Sequence, residues 1–233
     1  MRASRHIPAF VAMLLLAAGS GAARADAGEW VSYRDAYRAM VVFEKYGKPK
    51  NYLQNHYQVM PREKGISLEG VQLSLQGKTL HINLPLDAEG RTVFPLLKAA
   101  YDENAALVLN RKVGQFVFRP RVSIIVQPDG VYDVAELNAA CEQALAFQRH
   151  VDAAARSKKC VGVRFAFPGK DIDPGVRVRG ADKAETLLPA VEGAAFADDP
   201  NAHFKVVTYR FAEGLRGHVT TKNVPLSIAA LIE

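Results

Sequence analysis

The fold can be worked out from the stretch PDGVYDVAELNAACEQALAFQRHV, residues 128–151. Pro128-Asp129-Gly130 is typical of a turn. Asp133 followed by Glu136 is typical of a helix start, because a short side-chain oxygen can accept from the free N–H groups of the first turn. Five positions at helical spacing then form one apolar face: Val134, Leu137, Cys141, Ala144 and Val151. We therefore predict a helix that begins after Asp133.

The first half of the chain opens with the same pattern. Ser32 followed by Asp35 predicts a helix start, and Gly47 is a natural stop. The apolar face of this helix consists of Tyr33, Ala36, Met40 and Phe43. Each half thus begins with an amphipathic helix.

Strand-like sequence follows each helix. Two segments alternate apolar and other side chains and end in proline: residues 80–85 (LHINLP) and residues 163–168 (VRFAFP). Three further pairs of segments match in the same order: 92–95 with 186–189, 101–105 with 196–202, and 120–124 with 225–228. The recurrence of these pairs in one order indicates an internal duplication.

We therefore predict a β-rich α+β chain of two tandem repeats, residues 28–127 and 130–233. Each repeat is expected to be a helix followed by a small antiparallel sheet or sandwich. In such a repeat, Leu84 and Phe167 would be equivalent, and so would Val122 and Leu226. The alternative is one β-rich domain with similar turns, because Asp, Asn, Gly and Pro punctuate any sheet protein.

The N-terminus has the pattern of a secretory signal peptide. Arg2 and Arg5 precede an apolar run at residues 9–18, which is too short to span a bilayer as a mature helix. Ala23-Arg24-Ala25 fits the cleavage pattern, so residues 1–25 are predicted to be removed. We expect a periplasmic or secreted bacterial protein with no stable membrane insertion.

The charge of the mature chain argues against nucleic acid as a partner. The full chain carries a formal charge of +6, and cleavage after Ala25 leaves 27 basic and 24 acidic residues, or +3. Nucleic-acid-binding proteins concentrate a much stronger basic charge on one face. We expect the remaining basic clusters to be solvated surface; they are Lys45-Lys48-Lys50, Arg119-Arg121 and Arg156-Lys158-Lys159.

The chain has two cysteines, Cys141 and Cys160, and both survive processing. An even number of cysteines in an exported chain favours a disulfide. The short loop between them predicts about 3 kcal/mol of stabilisation. The alternative, a free catalytic thiol, would need a partner histidine and a reducing compartment.

Motifs for the common catalytic chemistries are missing from the sequence. There is no H-E-x-x-H, G-x-S-x-G, P-loop or dinucleotide fingerprint, so we predict neither a metal nor a cofactor. Two acidic segments, residues 171–175 and 198–201, could supply oxygen ligands for calcium. Their Pro-Gly and Pro-Asn dipeptides favour plain turns instead.

Aromatic and basic residues are concentrated between residues 30 and 57. A surface that stacks on sugars or docks a partner would use Trp30, Tyr33, Arg34, Tyr37 and Arg38. The alternative is that these aromatics pack the first helix on its sheet.

The sequence therefore predicts a non-enzymatic binding or accessory protein of the cell envelope, with an envelope protein or glycan as its partner. One alternative is an envelope hydrolase whose site assembles from distant acidic and histidine residues. Another is a calcium-stabilised adhesion module. A pocket with two or more convergent titratable groups would favour the enzyme, and a flat aromatic or apolar patch would favour the binding protein.

Overall fold

The computed structural model describes residues 30–169, 172–180, 184–200, 203–212 and 216–233. Within these ranges the strands form three antiparallel sheets, one of seven strands and two of four. The same ranges contain three α-helices: α1 (Tyr33–Glu44), α2 (Lys98–Asp102) and α3 (Val134–Val151). The prediction of a β-rich chain with few helices is confirmed.

The seven-stranded sheet contains strands from both halves of the sequence. In order across the sheet, they are β12 (Ala190–Gly193), β13 (Phe204–Arg210), β9 (Cys160–Phe167), β15 (Ser227–Ile232), β7 (Phe116–Ile124), β2 (Leu53–Pro61) and β5 (Arg91–Thr92). The two halves meet where Ile124 of β7 pairs with Ile228 of β15. Both halves therefore contribute to one continuous sheet.

Each four-stranded sheet is built from one half of the chain. The first has the order β1 (Trp30–Ser32), β6 (Ala106–Leu109), β3 (Leu73–Gln76) and β4 (His81–Leu84). The second has the order β8 (Val131–Asp133), β14 (His218–Thr220), β10 (Arg177–Arg179) and β11 (Glu185–Leu187). In both sheets the first of these strands leads directly into a helix, α1 or α3.

Helix α1 begins where its cap predicts. The Ser32 hydroxyl accepts from the Asp35 N–H at 3.3 Å, and the helix ends at Glu44, shortly before Gly47. All four predicted core positions, Tyr33, Ala36, Met40 and Phe43, are buried. Burying this stripe stabilises the helix, since helical propensity alone seldom suffices for twelve residues.

Helix α3 begins after Asp133, whose carboxylate accepts from the N–H groups of Ala135 and Glu136. Val134, Leu137 and Cys141 are buried as predicted. Val151 is instead 52% exposed, because the helix ends at this residue.

Cys141 and Cys160 form the predicted disulfide, with their Cα atoms 6.0 Å apart. Cys141 lies on α3, and Cys160 is the first residue of β9. The bond therefore ties the helix to the seven-stranded sheet on which it packs.

The segments matched within the sequence do not all occupy corresponding places. Leu84 ends β4 at the edge of a four-stranded sheet, whereas Phe167 ends β9 inside the seven-stranded sheet. Their predicted equivalence is wrong, because a proline after a strand marks a strand end in any sheet. Val122 lies within β7, and Leu226 directly precedes β15. The tandem repeat of residues 28–127 and 130–233 remains a prediction.

Several predicted features lie outside the described residues. They are the signal peptide at residues 1–25 and, in the acidic segments, Asp171 and Asn201. Among the helices that the structure describes, none is both long enough and apolar enough to cross a bilayer.

Candidate functional site

The aromatic segment predicted as a binding surface is divided between core and surface. Tyr33 is fully buried and stacks on Phe94 with ring centroids 5.2 Å apart. Its hydroxyl donates to the Pro95 carbonyl at 2.6 Å, and burial raises its pKa. Trp30 is 52% exposed. Tyr33 is therefore a core residue that holds a loop, as the alternative of core packing predicts, whereas Trp30 and Arg38 are exposed.

The other three predicted residues of this segment converge on Tyr101. Tyr37 packs against the Tyr101 ring with centroids 5.0 Å apart. Arg34 Nε donates to the Tyr101 carbonyl at 2.7 Å, and the Arg38 guanidinium lies 5.9 Å from the ring centre. A shallow groove beside this patch continues along α1 to Lys45.

A polar face on the seven-stranded sheet was missed by the sequence analysis. Side chains alternate along a strand, so Tyr57 and Val59 of β2 enter the apolar core while Gln58 points to the opposite face. The same opposite face carries arginines from β7 and β5 and a serine from β15. We call Gln58, Arg91, Arg119, Arg121 and Ser227 the polar face; Gln58, Arg91 and Ser227 are almost inaccessible to solvent.

Two arginines of the polar face bind two neighbouring aspartates. Arg119 lies 2.7 Å from Asp198 and 3.2 Å from Asp199, and Arg121 lies 2.9 Å from each. The Arg121 guanidinium also covers the Phe196 ring at 4.2 Å. These contacts fasten the turn that precedes β13 onto β7. They form a cluster that joins the two halves of the chain.

This cluster argues against calcium binding by the acidic segment 198–201, for which the sequence favoured a plain turn. Asp198 and Asp199 already have guanidinium partners, and so they are not free to gather around a cation. Burial raises the pKa of Asp199, although Arg121 partly opposes that effect. Asp173 of the other acidic segment accepts from the Gly175 N–H and from Lys222 Nζ.

Residues 87–91 form a tight turn that places Glu89 beneath the polar face. Asp87 accepts from the N–H groups of Glu89 and Arg91, each at 2.9 Å. Gly90 has φ +73°, a left-handed conformation that favours glycine. The Gln58 side-chain amide donates to the Glu89 carbonyl at 3.0 Å, which fixes the turn against β2.

The Glu89 side chain is completely buried, and its two oxygens have different surroundings. Oε1 accepts from the Ser227 hydroxyl at 2.5 Å. Oε2 lies 3.0 Å from Arg91 Nε but accepts no hydrogen bond, because that N–H is directed at Asp87. Glu89 therefore has a neighbouring guanidinium as its counter-charge, but one of its two oxygens accepts no hydrogen bond.

Burial raises the pKa of Glu89 to about 7, despite the opposing effects of Arg91 and Ser227. The carboxyl group is therefore close to half-protonated at neutral pH. A carboxyl group tuned to this range can exchange a proton under physiological conditions, which makes it a candidate functional group. On the same sheet, burial lowers the pKa of His56, and Arg91 lowers it further.

Glu89 is among the residues that line a cavity of about 440 Å³, which we call the loop pocket. Its lining consists of Gln58, Met60, Pro61, Gly65, Ile66, Ser67, Leu68, Glu69, Asp87, Ala88, Glu89, Gly169, Asp199, Pro200, His203 and Phe204. Residues of both halves thus enclose it. Its walls are apolar at Met60, Ile66 and Phe204, and its described lining contains four carboxyl groups and no Lys or Arg.

The loop pocket brings together groups that the sequence did not associate. Asp87, Glu89, Asp199 and His203 are four titratable residues from two distant segments. Within the described ranges no group of three or more His, Cys, Asp or Glu side chains could hold a metal ion. The site is therefore an acid-lined pocket with an apolar wall.

No protein-family model matches the chain, and neither the curated proteins nor the solved structures give a significant match. The interpretation of the site consequently depends on its own geometry.

Two local signals in the sequence point toward this site. The first is a segment that combines turn residues with three charges, Asp87-Ala88-Glu89-Gly90-Arg91. The second places two arginines on the same face of a strand, in Arg119-Pro120-Arg121. Neither signal reveals the other, because strand pairing alone brings them together. Sequence reasoning treated Arg119 and Arg121 as solvated surface, whereas the Arg121 side chain is only 12% exposed.

Proposed function

We propose that this chain is an exported binding protein of the cell envelope and that the loop pocket is its ligand site. One observation carries the proposal: the two halves of the chain enclose a cavity of about 440 Å³ whose lining combines an apolar wall with the carboxyl-bearing residues Asp87, Glu89 and Asp199. Ligand pockets typically combine apolar walls with a few polar groups, and they occur preferentially between structural units.

The location of this function is part of the proposal. A signal peptide at residues 1–25 would export the chain to the periplasm or the exterior. The disulfide between Cys141 and Cys160 supports an oxidising compartment, because such bonds persist there. The ligand would then be an envelope component, either a small molecule or a group carried on a protein or glycan.

The tandem repeat is likewise part of the proposal, and the strand order of the two four-stranded sheets supports it. Reading each sheet from the strand that precedes a helix gives β1-β6-β3-β4 in one and β8-β14-β10-β11 in the other. The strands correspond in chain order as well, since β1, β3, β4 and β6 match β8, β10, β11 and β14. Two unrelated sheets would rarely agree in both orders.

Local details support the same correspondence. The Gly77 N–H donates to the Leu80 carbonyl after β3, and the Gly180 N–H donates to the Ala184 carbonyl after β10. Leu84-Pro85 at the end of β4 then matches Leu188-Pro189 after β11. Under this alignment the partner of Leu84 is Leu188 rather than Phe167, and residues 186–189 no longer match residues 92–95. The loop pocket would lie between the two repeats.

Blocking the pocket tests the binding function. Ile66→Trp would fill the cavity, and Val151→Trp, at the exposed end of α3, is the matched control. We expect a panel of envelope-type amines, sugars, short peptides and carboxylates to include a ligand that raises the melting temperature. A saturating ligand should raise it by about 5 °C in the wild type and the control, but not in Ile66→Trp. Equal shifts in all three proteins, or none, would contradict the proposal.

A second candidate function is supported by the titratable groups of the pocket. Glu89 and Asp199 are both buried carboxyl groups with raised pKa values, and a carboxyl group with a raised pKa can act as the general acid of a hydrolase. A hydrolase would turn over a chromogenic envelope glycan or peptide, and Glu89→Gln would lower kcat while leaving KM nearly unchanged. Binding without turnover assigns the pocket to the binding protein.

A further inference from the structure

Two basic segments that are far apart in the sequence meet at one end of the molecule. The Tyr46 ring lies in the first segment, residues 45–50, and its centroid is 5.2 Å from that of Phe147 and 5.1 Å from that of His150. Both partners belong to the last turns of α3. The first segment therefore lies against the end of the helix from which the second segment, residues 149–159, continues.

The second segment folds back onto the same helix end. The Arg149 guanidinium donates to the carbonyls of Ala155 and Lys158, which brings the turn after α3 beside the last turn of the helix. Both segments thus place basic side chains around one point of the surface. We call six of these side chains the basic end; they are Lys45, Lys48, Arg149, Arg156, Lys158 and Lys159.

The charges of the basic end have no counter-ions on the protein. Five of the six residues are exposed and Lys158 is half-buried, and none of the six pairs with a carboxylate in the part of the chain that the structure describes. Arg149 bonds backbone carbonyls, as a cation at a helix C-terminus is expected to do. Lys50 does the same for α1, and so it is not included. The other five side chains have no such structural role.

The net charge of the molecule is concentrated at this end. Residues 44–50 and 149–159 contain seven Lys or Arg and two carboxylates, a net charge of +5, whereas the whole mature chain carries +3. Arg119 and Arg121, the other basic cluster of the sequence, are by contrast paired with aspartates. Like charges on one surface repel each other, and an anionic partner would relieve that repulsion.

We infer that the basic end docks on the anionic surface of a phospholipid membrane. Clusters of Lys and Arg are attracted to anionic lipid head groups. An aliphatic side chain lies among these cations, since Val151 at the end of α3 is 52% exposed. Binding at a membrane interface combines electrostatic attraction with burial of such apolar surface. This docking surface is separate from the loop pocket and does not depend on its function.

The aromatic side chains at this end favour a membrane over a nucleic acid or an acidic glycan. Bases and sugars stack on exposed aromatic rings. Phe43, Tyr46 and Phe147 are all buried, so they offer no platform for stacking. The His150 ring is exposed but already lies against Tyr46. Positive charge with an exposed aliphatic side chain therefore fits a lipid surface better.

Vesicle flotation with the mature chain, residues 26–233, tests the inference. We expect binding to vesicles of equal parts phosphatidylcholine and phosphatidylglycerol, and none to vesicles of phosphatidylcholine alone. Raising the salt concentration from about 0.1 M to about 0.5 M should weaken this binding at least about ten-fold, because salt screens the attraction. Equal binding to both kinds of vesicle, or binding to neither, would overturn the inference.

Charge reversal locates the docking surface. Lys48→Glu combined with Arg156→Glu changes one exposed residue of each segment and should weaken vesicle binding at least about 30-fold. The control, Lys64→Glu combined with Lys112→Glu, makes the same change of charge. Both control lysines are exposed and lie in loops at the far end of β2, a nine-residue strand about 30 Å long.

The control should bind within about three-fold of the wild type, because charges that far from the membrane are screened. Melting temperatures close to that of the wild type verify that both double variants are folded. Equal losses of binding in the two double variants would show that total charge alone attracts the protein, and would overturn a docking surface at the basic end.

Val151→Trp distinguishes a membrane from a soluble polyanion. Tryptophan prefers the membrane interface, so this variant should bind phosphatidylglycerol vesicles several-fold more tightly than the wild type. Its fluorescence should also shift to the blue on vesicles, relative to the wild type, whose single tryptophan is Trp30. Tighter binding to heparin or duplex DNA than to vesicles, without this shift, would assign the basic end to a soluble polyanion and overturn the membrane inference.

Discussion

At the scale of the residue, Glu89 has the most unusual environment that the structure describes in the loop pocket. Its carboxyl group is buried under the turn of residues 87–91, with Arg91 as counter-charge and Ser227 as donor. These partners only partly compensate for the loss of water, and so its pKa rises to about 7. A pKa raised in the folded state makes stability depend on pH.

The sign of that dependence follows from proton binding. The folded protein holds on Glu89 a proton that the unfolded chain releases near pH 4.5, so stability is lost as the pH rises from about 4.5 to about 7. We expect the unfolding free energy of Glu89→Gln, relative to that of the wild type, to increase by about 3 kcal/mol between pH 4.5 and pH 8. Urea unfolding at several pH values measures this difference.

Glu192→Gln provides the control for this comparison, because Glu192 lies on the exposed strand β12. Its unfolding free energy should follow that of the wild type at every pH. A constant difference between Glu89→Gln and the wild type would show that Glu89 does not retain its proton in the folded state.

At the scale of the element, α1 and the preceding strand β1 contain a core residue and a surface residue that the sequence assigned to one binding surface. Tyr33 belongs to the core, and Trp30 is largely exposed. We expect Tyr33→Ala to lower the free energy of unfolding by about 3–5 kcal/mol, as loss of a buried aromatic side chain does. Trp30→Ala should stay within about 0.5 kcal/mol of the wild type. Thermal and urea unfolding compare the two variants.

The same variants test the predicted partner surface of Trp30, Arg34, Tyr37 and Arg38. Capture from cell-envelope extract by the folded Trp30→Ala protein should lose a partner that the wild type retains, as happens when a hot-spot aromatic is truncated. An unchanged capture profile, or a melting temperature as low as that of Tyr33→Ala, would remove Trp30 from the proposed surface.

At the scale of the whole molecule, the two halves depend on each other. The core around α3 includes Phe43, Leu53 and Ile124 from the first half. The seven-stranded sheet is continuous across β7 and β15, and the cluster of Arg119 and Arg121 with Asp198 and Asp199 joins the halves again. Separation would expose this core and leave both arginines without their carboxylate partners.

We therefore expect residues 28–127 and 130–233, expressed as separate chains, to lack a cooperative melting transition. Co-expression should yield a complex with the melting behaviour of the intact protein. Circular dichroism and size-exclusion chromatography test both expectations. A cooperative transition in either isolated half would show that this half is an independent domain.

Part of this protein follows from its sequence because the signals are local. The caps at Ser32 and Asp133 and the apolar faces behind them specify α1 and α3, since helix contacts span only three or four residues. The disulfide follows from an even number of cysteines in a chain with a signal-like N-terminus. Alternating apolar and polar side chains likewise predict strands, because successive side chains of a strand point to opposite faces of the sheet.

Only the tertiary structure decided which strands are neighbours and therefore where the site lies. A strand pattern does not identify its partner, and so Leu84 and Phe167 looked equivalent although they lie in different sheets. Glu89 and Ser227 are 138 positions apart and become hydrogen-bonded only when the seven-stranded sheet forms. The loop pocket requires that sheet, since long-range strand pairing and burial bring its carboxyl groups together and raise the pKa of Glu89.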